Sequence, residues 1–101
     1  MLDQLERVEK RYQELDRQIT MPEIASDLKQ LQLLAQERAS IEGLVTKYRA
    51  YKVTAKSLEE TKAMLKDELD EDMTALVKQE ITSLESRLDH LLAELKLALL
   101  P

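Results

Sequence analysis

Apolar residues recur every three or four positions along most of this chain, which is the spacing of one face of an α-helix. The first stripe predicts a helix over about residues 2–18, and its members are Leu2, Leu5, Val8, Tyr12, Leu15 and Ile19. On the other face acids precede bases by four residues, as Asp3 precedes Arg7, in the order that supports a solvated helix surface. We therefore expect the chain to begin with an amphipathic helix.

A break at about residues 19–26 separates this helix from a longer one. Pro22 predicts a short turn of helix there, because proline is tolerated in a first helical turn. Ser26 is the candidate N-cap of a long helix over about residues 27–67. Two heptad registers form its a/d seam: Leu34, Ile41, Tyr48 and Ala55, with Leu44, Tyr51, Leu58 and Leu65. Gly43 weakens a helix locally, and we interpret it as a close-packing or slight-bend position.

An acidic run at residues 67–72 predicts the loop before a third helix, since five of its six residues are Asp or Glu. Asp70 is placed to cap this helix, and further acids would face the positive end of its dipole. The helix is expected over about residues 72–99. Its apolar stripe consists of Val77, Ile81, Leu84, Leu88, Leu91, Leu95 and Ala98.

Composition supports an all-helical chain. Leucine fills 20 of the 101 positions, whereas the chain has one glycine and two prolines, too few for the turns of a sheet. The long helix is longer than the first or the third helix. The first helix can therefore pair antiparallel with the N-terminal half of the long helix, and the third with the C-terminal half. The sequence thus predicts an all-α fold, an elongated three-helix antiparallel bundle of coiled-coil type, as a single domain over residues 1–101.

Several functions are disfavoured by what the chain contains. It has no cysteine and one histidine, His90, which we interpret as an ordinary surface residue. Because a leucine-cored bundle offers no concave site for convergent groups, we expect no catalytic residue, metal or cofactor and no enzymatic activity. The most apolar window, residues 91–100, is about half the ~20 residues of a membrane span. Because residues 1–10 also show no signal-peptide pattern, we expect a cytoplasmic protein that binds no membrane. The net charge of -5 argues against a dedicated DNA-binding protein.

One stretch departs from the acidic average. No acid occurs between Glu42 and Glu59, while four bases do: Lys47, Arg49, Lys52 and Lys56. These four are the candidate contacts to an acidic partner. Tyr48 and Tyr51 lie among them, and basic residues combined with aromatic ones can bind RNA. The alternative interpretation is that both tyrosines belong to the seam and the bases form a solvated surface.

Three segments, taken in order, resemble a known family. Residues 1–15, MLDQLERVEKRYQEL, are similar to the start of bacterial class I peptide chain release factors of type 1. Residues 34–52, LAQERASIEGLVTKYRAYK, resemble the middle of that family's first domain, and residues 94–101, ELKLALLP, resemble its end. The Leu-Leu-Pro ending favours type 1 over the related type 2.

The resemblance implies the N-terminal helical domain of a factor that, in full length, recognises the stop codons UAA and UAG on the ribosome and promotes peptidyl-tRNA hydrolysis. With a single glycine, the chain cannot contain the family's Gly-Gly-Gln loop, so a non-catalytic piece that binds and positions is implied. The implied partners are the ribosome, near the stalk base of the large subunit, and the class II GTPase release factor. The four bases would then be ribosome contacts. The alternatives are a structural coiled-coil adaptor or tether without a ribosome link, and the equivalent domain of a type 2 factor.

Overall fold

The computed structural model describes all 101 residues and consists of helices and their connections. The α-helices are α1 (Leu2–Gln18), α2 (Pro22–Ala25), α3 (Leu28–Ala63) and α4 (Glu71–Ala98), and a 3-10 turn covers Met64–Lys66. No strand is present, so the all-α class predicted from the leucine pattern is confirmed. None of the helices combines the length and the apolar character that crossing a membrane requires.

The chain divides into two compact units, Met1–Thr46 and Lys47–Pro101. In the first unit, α1 runs antiparallel to the first part of α3. Asp16 contacts Arg38, whereas Tyr12, four residues earlier, contacts Glu42, four residues later. The antiparallel pairing expected for the first helix is therefore present.

The apolar stripe of α1 supplies most of the core of the first unit. Its buried apolar residues are Leu5, Tyr12, Leu15 and Val45. Leu2 was expected in the stripe but is 46% exposed in the first turn of the helix. Glu9 is also buried, which the helical periodicity does not predict for a carboxylate.

The second unit pairs the remainder of α3 with α4, again antiparallel. Lys47 contacts Glu94, whereas Ser57, later on α3, lines one groove together with Leu84, earlier on α4. Its buried residues are Tyr48, Thr54, Leu58, Val77 and Leu95. The middle of the α4 stripe, Ile81, Leu84, Leu88 and Leu91, is only half-buried, and Ala98 at its end is exposed, contrary to expectation. Two helices therefore cover their apolar stripes incompletely.

The start of α3 differs by one residue from the expected capping. The carboxylate of Asp27 accepts a hydrogen bond from the backbone nitrogen of Gln30 at 3.2 Å, so Asp27 is the N-cap. Ser26 was the wrong candidate, and its hydroxyl instead donates to the carbonyl oxygen of Pro22 at 2.7 Å. Serine and aspartate both cap helices well, but here the serine hydroxyl is already hydrogen-bonded to the preceding turn, α2.

The end of α3 also differs, while the cap of α4 is as predicted. The helix stops at Ala63, and Leu65 lies in the 3-10 turn with 39% exposure, so its assignment to the seam is wrong. Asp70 accepts a hydrogen bond from the backbone nitrogen of Met73 at 2.7 Å, which confirms it as the N-cap of α4.

Gly43 does not mark a close approach. It is exposed on α3, it has no positive φ, and a Cβ added there would meet no atom within 4 Å. The close-packing interpretation is therefore wrong.

Candidate functional site

All four bases of the acid-free stretch lie on α3 within the second unit, and all four are exposed. Lys47 and Lys56 form long ion pairs. The Nζ atom of Lys47 lies 3.9 Å from Oε2 of Glu94 on α4, and that of Lys56 lies 4.0 Å from Oε1 of Glu60, one turn along α3. Exposed pairs at this separation contribute little to stability, so both ammonium groups can also interact with a partner.

The two tyrosines among these bases differ in how far their rings are exposed. The ammonium of Lys52 lies over the ring of Tyr48, 4.6 Å from its centroid, in a cation–π contact. Tyr48 is buried, as the seam interpretation predicted, whereas Tyr51 is half-buried. Because stacking on a nucleobase needs an exposed aromatic face, Tyr48 cannot provide one.

Arg49 borders an open groove of about 420 Å³ between α3 and α4, here called the α3–α4 groove. The lining residues are Arg49, Ala50, Val53, Thr54, Ser57, Leu84 and Arg87. Small side chains at positions 50, 54 and 57 make the room on the α3 side. The hydroxyl of Thr54 donates to the carbonyl oxygen of Ala50 at 2.8 Å, so its polar atom is satisfied by its own helix.

Sequence reasoning placed Arg49 with Lys52 and Lys56 but missed the groove and Arg87. Two signals were present in the chain. The first is a row of small residues beside the seam, at positions 50, 54 and 57. The second is Arg87, the only Lys or Arg between Lys78 and Lys96. Joining them requires the register of α3 against α4, which the structure supplies.

His90 lies on the surface of α4, as expected, with its Nε2 atom 2.8 Å from Oε1 of Glu94 and its side chain 74% exposed. Glu94 is thus shared between His90 and Lys47. No group of three or more His, Asp and Glu side chains in the structure is arranged to hold a metal ion.

A second polar cluster, here called the α1–α3 network, lies in the first unit. The guanidinium of Arg11 forks onto Glu37, with Nε 2.5 Å from Oε2 and Nη2 2.7 Å from Oε1. This two-pronged hydrogen bond raises the pKa of Arg11 and lowers the pKa of Glu37. Planar guanidinium and carboxylate groups match in this geometry, so the pair fixes the position of α1 along α3.

Arg38 forms the other half of the α1–α3 network. Its Nε atom donates to Oδ1 of Asp16 at 2.5 Å, which raises the pKa of Arg38, and its guanidinium lies 4.6 Å from the centroid of the Tyr12 ring. The Tyr12 hydroxyl donates to Glu42 at 3.3 Å, and burial raises the pKa of Tyr12. Each contact joins α1 to α3, so this cluster holds the helix pair together.

The chain belongs to the PCRF domain family, which matches residues 8–101. Among its relatives, a peptide chain release factor 1 of Dehalococcoides mccartyi (strain BAV1) is 45% identical over 101 residues, the whole of this chain and 28% of the relative. Peptide chain release factor 1 of Geobacillus sp. (strain WCH70) is 41% identical and that of Clostridium tetani 38% identical over the same length.

The chain thus spans 28% of the length of these relatives. The family resemblance seen in the three sequence segments is confirmed. No solved structure gives a significant match.

Proposed function

We propose that this chain acts as a single N-terminal accessory domain of a translation termination factor. In full length, that factor recognises the stop codons UAA and UAG on the ribosome and promotes peptidyl-tRNA hydrolysis. The observation that carries the proposal is the identity of 37–45% to peptide chain release factor 1 from several bacteria over all 101 residues. Each relative named above is a release factor 1, which favours type 1 over type 2.

Within that factor the domain binds and positions but does not catalyse, and it works in the cytoplasm. Its carboxylates support this assignment, because most of them lie on solvated helix faces rather than converging on one point. Ester hydrolysis at the ribosome needs groups that orient the attacking water. A chain with one glycine cannot carry the family's Gly-Gly-Gln loop, so that chemistry belongs to another part of the factor.

The proposed partner is the ribosome, near the stalk base of the large subunit, with the class II GTPase release factor acting in the same region. Contact is made by the basic face, defined as Arg49, Lys52 and Lys56, with Lys47 at its margin. Support comes from the exposure of all four side chains and from an acid-free stretch in a chain of net charge -5. Phosphate contacts of this kind release counterions, so binding should weaken as salt rises.

The test is co-sedimentation of the 101-residue chain with large ribosomal subunits over a salt series. In one variant Arg49, Lys52 and Lys56 all become Gln, which keeps helix propensity nearly constant. The matched control changes three exposed lysines outside the basic face to Gln: Lys29, Lys78 and Lys96. We expect the first variant to bind several-fold more weakly with a shallower salt slope, and the control to follow the parent.

Equal affinities and slopes for the two variants would make the basic face ordinary surface. Failure of the parent itself to bind the large subunit would instead favour the adaptor or tether alternative, which predicts no ribosome contact at all.

A further inference from the structure

We propose that the α3–α4 groove is a docking site for an acidic amphipathic helix of a partner protein. The proposal goes beyond the function proposed above, because it concerns a second surface beside the basic face and requires no ribosome. It rests on the shape of the groove, on its apolar lining and on the charge at its two sides.

The size and lining of the groove suit the apolar face of a helix. From Arg49 to Ser57 the axis of α3 rises by eight residue steps, or about 12 Å, which accommodates about two turns of a partner helix. Val53 is 67% exposed at one side and Leu84 is half-buried at the other, so an apolar anchor between them would remove both from water. Helices that bind in grooves place such anchors three or four residues apart.

The charge of the groove specifies an acidic occupant. One arginine stands on each helix, Arg49 on α3 and Arg87 on α4, and no acid is among the lining residues. Arg87 makes no hydrogen bond or ion pair within the chain, so its guanidinium can pair with a carboxylate of the partner. Guanidinium groups bind carboxylates in two-pronged geometry, and the flanks of the bound helix should therefore carry Glu or Asp.

A protein helix fits these observations better than RNA does. Phosphate-binding surfaces are polar and commonly add exposed aromatic rings for stacking. Here the space between the arginines is lined by Ala50, Val53 and Leu84, and the nearby Tyr48 ring is buried. The α3–α4 groove, apolar in its middle with a cation on each side, therefore matches a partner helix that has a leucine stripe flanked by acidic residues.

The probe is a fluorescein-labelled synthetic helix of about 18 residues, or about 27 Å, with leucines along one face and glutamates on the rest. A scrambled peptide of the same composition and a single-stranded RNA of similar length are compared with it. With the 101-residue chain, fluorescence anisotropy should show saturable binding of the amphipathic peptide only. Backbone amide shifts should change at residues 50–57 and 84–87.

Two variants separate shape from charge. Ala50→Leu fills the groove and leaves both arginines in place, while Arg87→Glu reverses one charge and leaves the space open. Each should weaken binding roughly tenfold, because Ala50→Leu removes the space for the apolar anchor and Arg87→Glu places a carboxylate against the acids of the partner. Lys78→Glu makes the same charge change on α4 away from the groove and should alter affinity by less than about twofold. Far-ultraviolet circular dichroism checks folding, and Ser57→Leu replaces Ala50→Leu if that variant is not helical.

Four results would overturn the proposal. They are equal binding of the scrambled peptide, full affinity of the filled-groove variant, tighter binding of the RNA than of the peptide, and self-association of the parent that Ala50→Leu abolishes. The last would assign the groove to a second copy of the chain. None of these depends on large-subunit binding, so the proposed function can fail or hold independently.

Discussion

At the scale of single residues, the α1–α3 network shows that a few planar side-chain groups can fix the position of one helix along another. Arg11 and Arg38 each bind a carboxylate across the helix pair, and Arg38 also covers the Tyr12 ring. A lysine could supply the charge but not the fork or the flat surface, so arginine is not interchangeable here.

The Arg11–Glu37 pair makes part of the stability dependent on pH. Its hydrogen bonds hold the pKa of Glu37 below the ordinary value of 4.5 that it has when unfolded. The stabilisation is therefore complete above that value and is lost as pH falls through the lower, folded pKa. Glu37→Gln should lower Tm relative to the parent at neutral pH, and the difference should shrink as the pH drops below 4.5.

Thermal unfolding followed by circular dichroism between neutral and acidic pH measures this difference. Glu80→Gln is the matched control, because Glu80 is exposed and has no ion pair in the chain. It should shift Tm little at any of these pH values. A constant difference between parent and Glu37→Gln across the range would contradict the proposed role of the pair.

Gly43 gives a second prediction at this scale. Since a Cβ there would meet nothing, replacing the glycine with alanine adds helix propensity without a clash. Gly43→Ala should stabilise the chain by about 1 kcal/mol. Urea denaturation provides the measurement, with Ser40→Ala on the same helix as a comparison that gains less propensity. A loss of stability would mean that the glycine is needed for something other than space.

At the scale of elements, the cap of α4 could be predicted from the sequence, whereas the cap of α3 was placed one residue too early and its C-terminal end too late. The cap at Asp70 depends on four consecutive residues, and the sequence was sufficient to place it. Leu65 continues the heptad spacing, yet α3 ends at Ala63 and Leu65 lies in the 3-10 turn, where it is 39% exposed. Periodicity indicates which residues could face a partner, not where the helix ends.

The Asp70 cap should contribute measurably to α4. Asp70→Ala removes the acceptor for the Met73 backbone nitrogen and a charge at the positive end of the dipole. We expect a loss of about 1 kcal/mol, with Asp70→Asn losing less because asparagine also caps. Asp67→Ala in the same loop is the control, since the side chain of Asp67 caps no helix. Equal losses for Asp67→Ala and Asp70→Ala in urea denaturation would mean that general loop charge, rather than capping, is responsible.

The candidate site was also predictable only in part. The four bases were found from composition along one segment, because an acid-free stretch is visible without any structure. The α3–α4 groove was not, since Arg49 and Arg87 are 38 positions apart and meet only through the register of two helices.

At the scale of the whole molecule, the proposed function assigns binding to this chain and hydrolysis to another part of the factor. The chain should release no peptide from ribosomes programmed with a stop codon, because it cannot supply a Gly-Gly-Gln loop. A radiolabelled release assay measures this, with a complete peptide chain release factor 1 as the positive control. Stop-dependent release by the chain alone would refute the proposed division of labour.

The antiparallel turn between α3 and α4 has a consequence for how the second unit folds. Residues that face each other near the turn are close along the chain, as are Ser57 and Leu84, which line the same groove. Lys47 and Glu94, near the far end, are separated by many more residues. Closing the nearest pair first costs the least chain entropy, and each later pair then closes only a small additional loop. Pairing of α3 with α4 should therefore begin next to the acidic run at residues 67–72 and extend toward the far ends of the two helices. It should be fast, as is typical of helical proteins with sequence-local contacts.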